Sequence, residues 1–420
     1  MDFFNEKFLT MRTKLLLDVR GKMKALGLIL VTLTSLLVGC LNEEAVETIN
    51  VYSEPVREEM NISQIAEEIS LVQLQNDSGN VIGRVHSVII RDKYIYVLDI
   101  SSHSVLVFNR DGSFVSKLDR RGNGPGEYLG LGPVIVDEDE SFLELITFSG
   151  EGFGVIKYKN ISFDFVSFSP LPLITANSVR KRNDTYYFAT QQIDNLVDGQ
   201  KTNADLLILK GGEIVNKIRD KAIDTSGSGF SPFAESFVGN EKGELFASFM
   251  FDNNFYQING MEARPCLALD FGKMGIDNEV GFQPLSKQLE YLAKSQGLAS
   301  FPVLLANNEN VLFFSYIQFT HPNDFYHESN YRFFIKSFDS GASYHTKTVI
   351  NDLTDFPERF FSKKTFRGIG LDVVMDDYLV EVIVPAFHLN DAEMKKEING
   401  LGEVHLNDNP IIAFIKLKDF

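Results

Sequence analysis

Asp92-Lys93-Tyr94-Ile95-Tyr96-Val97 is a polar turn that runs at once into a β-rich stretch, and the unit returns five times. The copies are Ser141-Phe142-Leu143, Asp184-Thr185-Tyr186-Tyr187-Phe188, Gly243-Glu244-Leu245-Phe246, Asn310-Val311-Leu312-Phe313 and Asp377-Tyr378-Leu379-Val380. Spacing grows from the forties to the sixties of residues along the chain. Repeats of that period, each holding several short strands, predict the blades of a β-propeller. A second strand follows each copy and usually ends in a tight turn. Val105–Phe108 runs into Arg110-Asp111-Gly112, Leu206–Leu209 into Gly211-Gly212, and Phe255–Gln257 into Asn259-Gly260. Such turns supply the positive φ that hairpins need. Outer strands then follow, as at Phe114–Leu118 and Glu213–Ile218.

The sixth unit predicts how the ring closes. Its third strand, Ile411–Leu417, is not followed by sequence for a fourth, while an unassigned β-rich run, Ile69–Leu74, lies before the first unit. Pairing the two completes six blades and hides edges that would otherwise invite aggregation. The expected fold is therefore all-β, a six-bladed propeller over residues 68–420 closed by an N-terminal strand. Two helical insertions are also expected, at 284–296 (Leu285, Leu289, Leu292 and Ala293 on one face) and at 390–399 (Asn390 as cap, Gly400 after it). Composition agrees with a β-rich core: 36 Phe and 14 Tyr with no Trp, 44% hydrophobic and 23% charged.

Residues 1–39 read as a signal peptide. Lys22 and Lys24 precede an apolar run, Ala25–Val38, too short to span a bilayer as a helix. It ends in Leu37-Val38-Gly39-Cys40, where a thiol is alkylated and the small Gly39 permits cleavage. Cys40 is thus the predicted lipidation site, and residues 40–67 the predicted tether. Translation starts at Met1, Met11 or Met23. Asn42-Glu43-Glu44 reads equally as a surface-export signal or as solvated tether. Net charge is −17, and −20 without the leader, so the body repels phosphate backbones and no nucleic-acid partner is expected. With Cys40 lipidated, Cys266 has no partner for a disulfide; its apolar surroundings predict a buried structural thiol.

Arg121-Gly122-Asn123-Gly124-Pro125-Gly126-Glu127-Tyr128 follows the first outer strand. It resembles the glycine-rich link between blades of NHL-like propellers. Together with the lipobox and the ending Asp408-Asn409-Pro410-Ile411-Ile412, the chain resembles TolB-like six-bladed β-propeller lipoproteins of Gram-negative bacteria. The resemblance implies an outer-membrane, lipid-anchored protein on the periplasmic or cell-surface side, with a funnel-shaped central channel and no settled activity.

The glycine link lacks the Lys-Ser/Thr of a phosphate loop, so its glycines read first as turn formers. Arg121, Asn123, Glu127 and Tyr128 are the candidate ligand-binding residues, at a channel mouth also rimmed by loops 221–232, 319–331 and 351–367. His321, Asp324, Tyr326 and His327 share a loop but lack zinc spacing. The run Asp137–Glu140 lacks the glycine of a calcium loop, and Ser226-Gly227-Ser228-Gly229 lacks the context of a nucleophile elbow. No metal, cofactor or catalytic residue is expected from these patterns. The reading is a ligand- or protein-binding module, with an envelope protein, glycan or peptide as partner. A metal-dependent hydrolase, lactonase or lyase at the channel mouth is the alternative.

Overall fold

Six β-sheets stand as blades around a central channel. The computed structural model describes residues 46–418, except 78, 192, 198, 222–234, 322–323, 325–326, 362–368 and 390–393. One folded unit runs from Thr48 onward. From the channel outward, blade one orders Val85–Ile90, Tyr94–Asp99, Ser104–Asn109 and Phe114–Leu118. Blade two orders Val134–Val136, Phe142–Ser149, Gly152–Lys159 and Phe165–Pro170. Blade three uses Ser178–Arg182, Thr185–Ala189, Leu206–Lys210 and Glu213–Ile218, with a small hairpin, Asn195–Val197 and Gln200–Thr202, inserted between its middle strands. Blade four has Phe237–Gly239, Leu245–Ser248, Asn254–Asn259 and Glu262–Asp270, and blade five has Ala299–Asn307, Val311–Gln318, Tyr331–Ser337 and Ser343–Ile350. Blade six holds Tyr378–Ile383, Ile411–Leu417 and Ala66–Gln73. Each of the six repeated sequence units is the second strand of its blade or, in blade six, the first.

The middle strands are apolar along their whole length because both sheet faces are covered by neighbouring blades. Val105–Phe108 is fully buried. Apolar clusters fill the seams between adjacent blades: Tyr96 and Val107 meet Leu145 and Tyr158 between blades one and two, and Leu98 packs there too. Burial of such a side chain stabilises the fold by about 1.5–3 kcal/mol. The expected closure is present, with Ile69 opposite Ile415, Leu71 opposite Ala413 and Gln73 opposite Ile411, antiparallel. Gly112 lets blade one approach this closing strand. Its φ is +88°, and a Cβ there would lie 2.2 Å from the Gln73 carbonyl oxygen.

Three expectations need correction. Residues 47–61, assigned to the tether, form two further strands. Glu47–Asn50 lies beside Glu262–Asp270 of blade four, and Arg57–Asn61 pairs in parallel with blade five, Arg57 opposite Thr346 and Met60 opposite Val349. The segment therefore belts blades four, five and six in turn. Ile49, Val51 and Met60 are its buried anchors among mostly exposed neighbours. Beneath it, His345 Nε2 lies 2.7 Å from the Tyr316 hydroxyl and Nδ1 3.3 Å from the Glu54 carbonyl. Burial pushes the imidazole down to about 4, so the ring is neutral at pH 7.

The helix expected at 390–399 is a hairpin where it is described, Lys395–Ile398 with Gly402–His405. Leu401 N–H donates to the Ile398 carbonyl at 3.1 Å, and Lys395 pairs with Glu403 at 2.7 Å. The Asn-Gly that suggested a helix stop is the hairpin turn. The other helix forms, at Leu285–Ala293, but buries Gln288 and Leu292 and leaves Leu289 exposed. Gln288 Nε2 donates to the Gln283 and Gly281 carbonyls, which explains why a polar residue takes the inner face. No described helix is long and apolar enough to cross a membrane.

Candidate functional site: the central channel

The innermost strands of a propeller converge on its axis, so a charged residue in one of them meets charges from other blades rather than solvent. Arg180 sits in the inner strand of blade three. Its Nη2 lies 3.0 Å from Glu235 Oε2, just ahead of blade four's inner strand, and its Nε lies 3.4 Å from Asp372 Oδ1. The other Asp372 oxygen is 2.7 Å from Nη2 of Arg91, at the end of blade one's inner strand. The backbone N–H groups of Ser236 and Phe237 donate to Glu235 Oε1 at 2.8 and 3.0 Å. Blades one, three and four thus contribute two guanidiniums and two carboxylates, whose formal charges cancel.

The two carboxylates differ. Burial alone would raise Asp372, but Arg180 and Arg91 beside it hold its carboxyl at about 2. Burial raises Glu235 further than Arg180 lowers it, and the Asp372 charge adds to the rise. Arg180 itself is depressed by burial, yet both carboxylates raise it more. Glu235 is therefore the member of the group closest to taking up a proton.

Asp372 reaches this position by an unusual route. Gly370–Asp372 precedes blade six in the chain and would be its inner strand. It pairs instead in parallel with blade one, Gly370 opposite Ser87 and Asp372 opposite Ile89. A cavity of about 120 Å³ lies between this displaced segment and blades four, five and six. Val238, Val303, Leu305, Leu371, Val373 and Leu379 give it apolar walls. Arg180 and Glu235 line one part of it, and Asn240, Asn307, Asn308 and Asp376 another. There Asn308 Nδ2 donates to the Asp376 carbonyl at 2.8 Å, and Glu241 N–H donates to Asp376 Oδ1 at 3.0 Å. A smaller cavity of about 20 Å³, lined by His86, Asn177 and Ile89, shares Arg180 and Glu235 with the first. The ionic group thus stands between two chambers of one channel.

The four residues predicted from the glycine link are not brought to these cavities. Tyr128 is fully buried, and its hydroxyl donates to the His103 carbonyl at 2.7 Å. Glu127 folds back to accept from Gly124 N–H at 2.7 Å. Arg121 and Asn123 are exposed. Gly126, at φ +70°, packs on the Phe165 ring, where a Cβ would come within 2.6 Å. The link joins blades one and two. Loops 221–232, 319–331 and 351–367 lie partly outside the described residues, as do Tyr326 and all of Ser226–Gly229. The His321 and His327 rings stack 3.7 Å apart and share Ser329, with His327 Nδ1 accepting from Ser329 N–H to cap a short 3₁₀ turn. Among the described residues no three His, Cys, Asp or Glu side chains gather as a metal site would require. Cys266 is partly buried, its thiol donates to the Phe255 carbonyl at 3.3 Å, and burial pushes it up to about 11.

A family model described as a domain of unknown function, DUF4934, matches residues 46–416. Among solved structures, the chain resembles a protein of Bacteroides fragilis inferred to be exported, at 17% identity and a TM-score of 0.64, covering 89% of this chain and 100% of that one. It also resembles a DUF4221 member from Bacteroides vulgatus, at 10% identity and a TM-score of 0.46, covering 84% and 97%. Virginiamycin B lyase from Staphylococcus aureus shows 10% identity and a TM-score of 0.36, covering 84% and 99%. No curated protein matches.

Proposed function

The chain belongs to the DUF4934 family, whose function is unknown, so its role has to be read from its own channel, and we propose that it is a ligand-binding module of the cell envelope. The observation that carries this reading is the cavity beside the displaced strand: apolar walls, an ionic group at one part and hydrogen-bonded amides at another. Such a site suits a small ligand with an apolar body and a polar end. The lipobox at Leu37–Cys40 supports an outer-membrane lipid anchor on Cys40, and the six-bladed body supports kinship with TolB-like or NHL-like propeller lipoproteins. The first described strand begins at Glu47, so a tether from Cys40 would lie ahead of it.

Two measurements test the reading. Labelled palmitate should enter the wild type and not Cys40→Ala, and label persisting in the variant would refute the anchor. Thermal shift against short peptides, oligosaccharides and amphipathic small molecules should find one that stabilises the wild type but not Leu305→Trp, in which the indole fills the cavity. Equal shifts for both proteins would place binding elsewhere.

A further inference from the structure

We propose that the channel cavity binds an extended, apolar peptide segment, which adds to blade six as its missing inner strand. The proposal rests on the binding reading above and names the ligand class. Blade six has three strands among the described residues, whereas each of the other five has at least four. The strand that would complete it, Gly370–Asp372, is hydrogen-bonded to blade one. Among the described residues, Tyr378–Ile383 therefore has a strand partner on its outer side only.

The ladder fixes which backbone groups are left over. Residues on an antiparallel strand alternate between bonding to one neighbour and to the other. Leu417 N–H donates to the Asp377 carbonyl at 2.8 Å. With Leu379 opposite Ile415 and Glu381 opposite Ala413, the odd-numbered residues of this strand bond outward to Ile411–Leu417. Tyr378, Val380 and Val382 then turn their N–H and C=O groups inward. Tyr378 N–H is taken by the Met375 carbonyl at 3.3 Å. For Val380 and Val382, no hydrogen bond to another described backbone group completes the inner side. Val380 lines the cavity.

An unsatisfied strand edge beside an apolar cavity selects a ligand that offers its own alternating N–H and C=O groups. A sugar or a fatty acyl chain offers no such array. The cavity volume corresponds to about four waters at about 30 Å³ each, the space of about one residue, so one residue of an added strand fits within it and longer peptides continue past it. Val303, Leu305 and Leu379 favour small or branched apolar side chains. The chamber beyond the ionic group is too small to accept more.

The test uses the full-length chain in mild detergent with capped tripeptides, acetyl-X-X-X-amide, drawn from Val, Ile, Thr and Ala. Amide hydrogen exchange is read at Val380 and Val382 by nuclear magnetic resonance. The expected result is a tripeptide that slows both amides by roughly tenfold or more at saturation, while its N-methylated counterpart, unable to donate, neither binds nor protects. Equal binding of the N-methylated peptide, or protection confined to other strands, would overturn strand addition. If no tripeptide binds but an oligosaccharide or amphipathic molecule stabilises the wild type and not Leu305→Trp, the peptide inference fails and the binding reading stands. If nothing binds, both fail.

Discussion

Asp372→Asn removes one charge from the channel while keeping the shape of the side chain, and its effect can be worked from the geometry. The carboxyl lies between Arg91 at 2.7 Å and Arg180 at 3.4 Å, with only 12% of the side chain exposed, so solvent screens it little. It falls from 3.8 to about 2 on folding, which corresponds to about 2 kcal/mol of stability at neutral pH. A depressed carboxyl stabilises above its unfolded value and loses that contribution as pH falls through the folded one. The variant should therefore be less stable by about 2 kcal/mol at pH 7, and by roughly half that at pH 3. With no Trp in the chain, urea unfolding followed by far-ultraviolet circular dichroism is the suitable assay. Stability curves for wild type and variant that run parallel from pH 7 to pH 3 would refute the reasoning, because the charge would then contribute nothing specific to its ionised form.

Other outcomes follow from the same structure. Glu235, raised by burial, contributes stability at low pH that is lost as pH rises through its folded value. Relative to Glu235→Gln, the wild type should therefore lose ground as pH rises above the ordinary carboxylate range in the same assay. His345, depressed to about 4, is the opposite case, stabilising above its unfolded value. Acidification from pH 6.5 to pH 4 should cost the wild type about 3 kcal/mol that His345→Gln does not lose. Gly112→Ala, with its Cβ driven into the Gln73 backbone, should cost about 2–4 kcal/mol and speed proteolysis of Ala66–Gln73, detectable by mass spectrometry of the fragments. A chain begun at Asn61 loses Ile49, Val51 and Met60 from buried sites, so its thermal midpoint should fall as about 4.5–9 kcal/mol of burial is removed. A chain begun at Val46 should keep the wild-type midpoint.

The ring was legible because its signal is periodic. A turn followed by a run buried on both faces recurs six times, and the unmatched runs at Ile69 and Ile411 find one another in the folded chain. The belt escaped notice because its strands bury single residues: Ile49 alone in Glu47–Asn50 and Met60 alone in Arg57–Asn61, which leaves no alternation to read. The channel group was hidden differently. Arg91, Arg180, Glu235 and Asp372 are scattered through the sequence, and only convergence of the inner strands unites them. A usable signal existed in Asp372, a lone acid in the run Ile369–Val374, and in Arg180, a charge just ahead of the third repeated unit at Asp184. The glycine link drew attention because it is compact in sequence, yet Tyr128 and Glu127 turn inward to hold the joint between blades.

The belt also bears on how the chain folds. Glu47–Asn50, Arg57–Asn61 and Ala66–Gln73 find their partners at Glu262–Asp270, Ser343–Ile350 and Ile411–Leu417, hundreds of residues downstream. These three strands thus wait for blades four, five and six in turn before they are satisfied. Contacts of such separation make folding slow, because their loop entropy has to be met before any pairing rewards it. Blades one to five can condense in order from neighbouring sequence, while the amino-terminal strands wait for the carboxyl-terminal ones. Closure of the ring therefore waits on the encounter of Ala66–Gln73 with Ile411–Leu417.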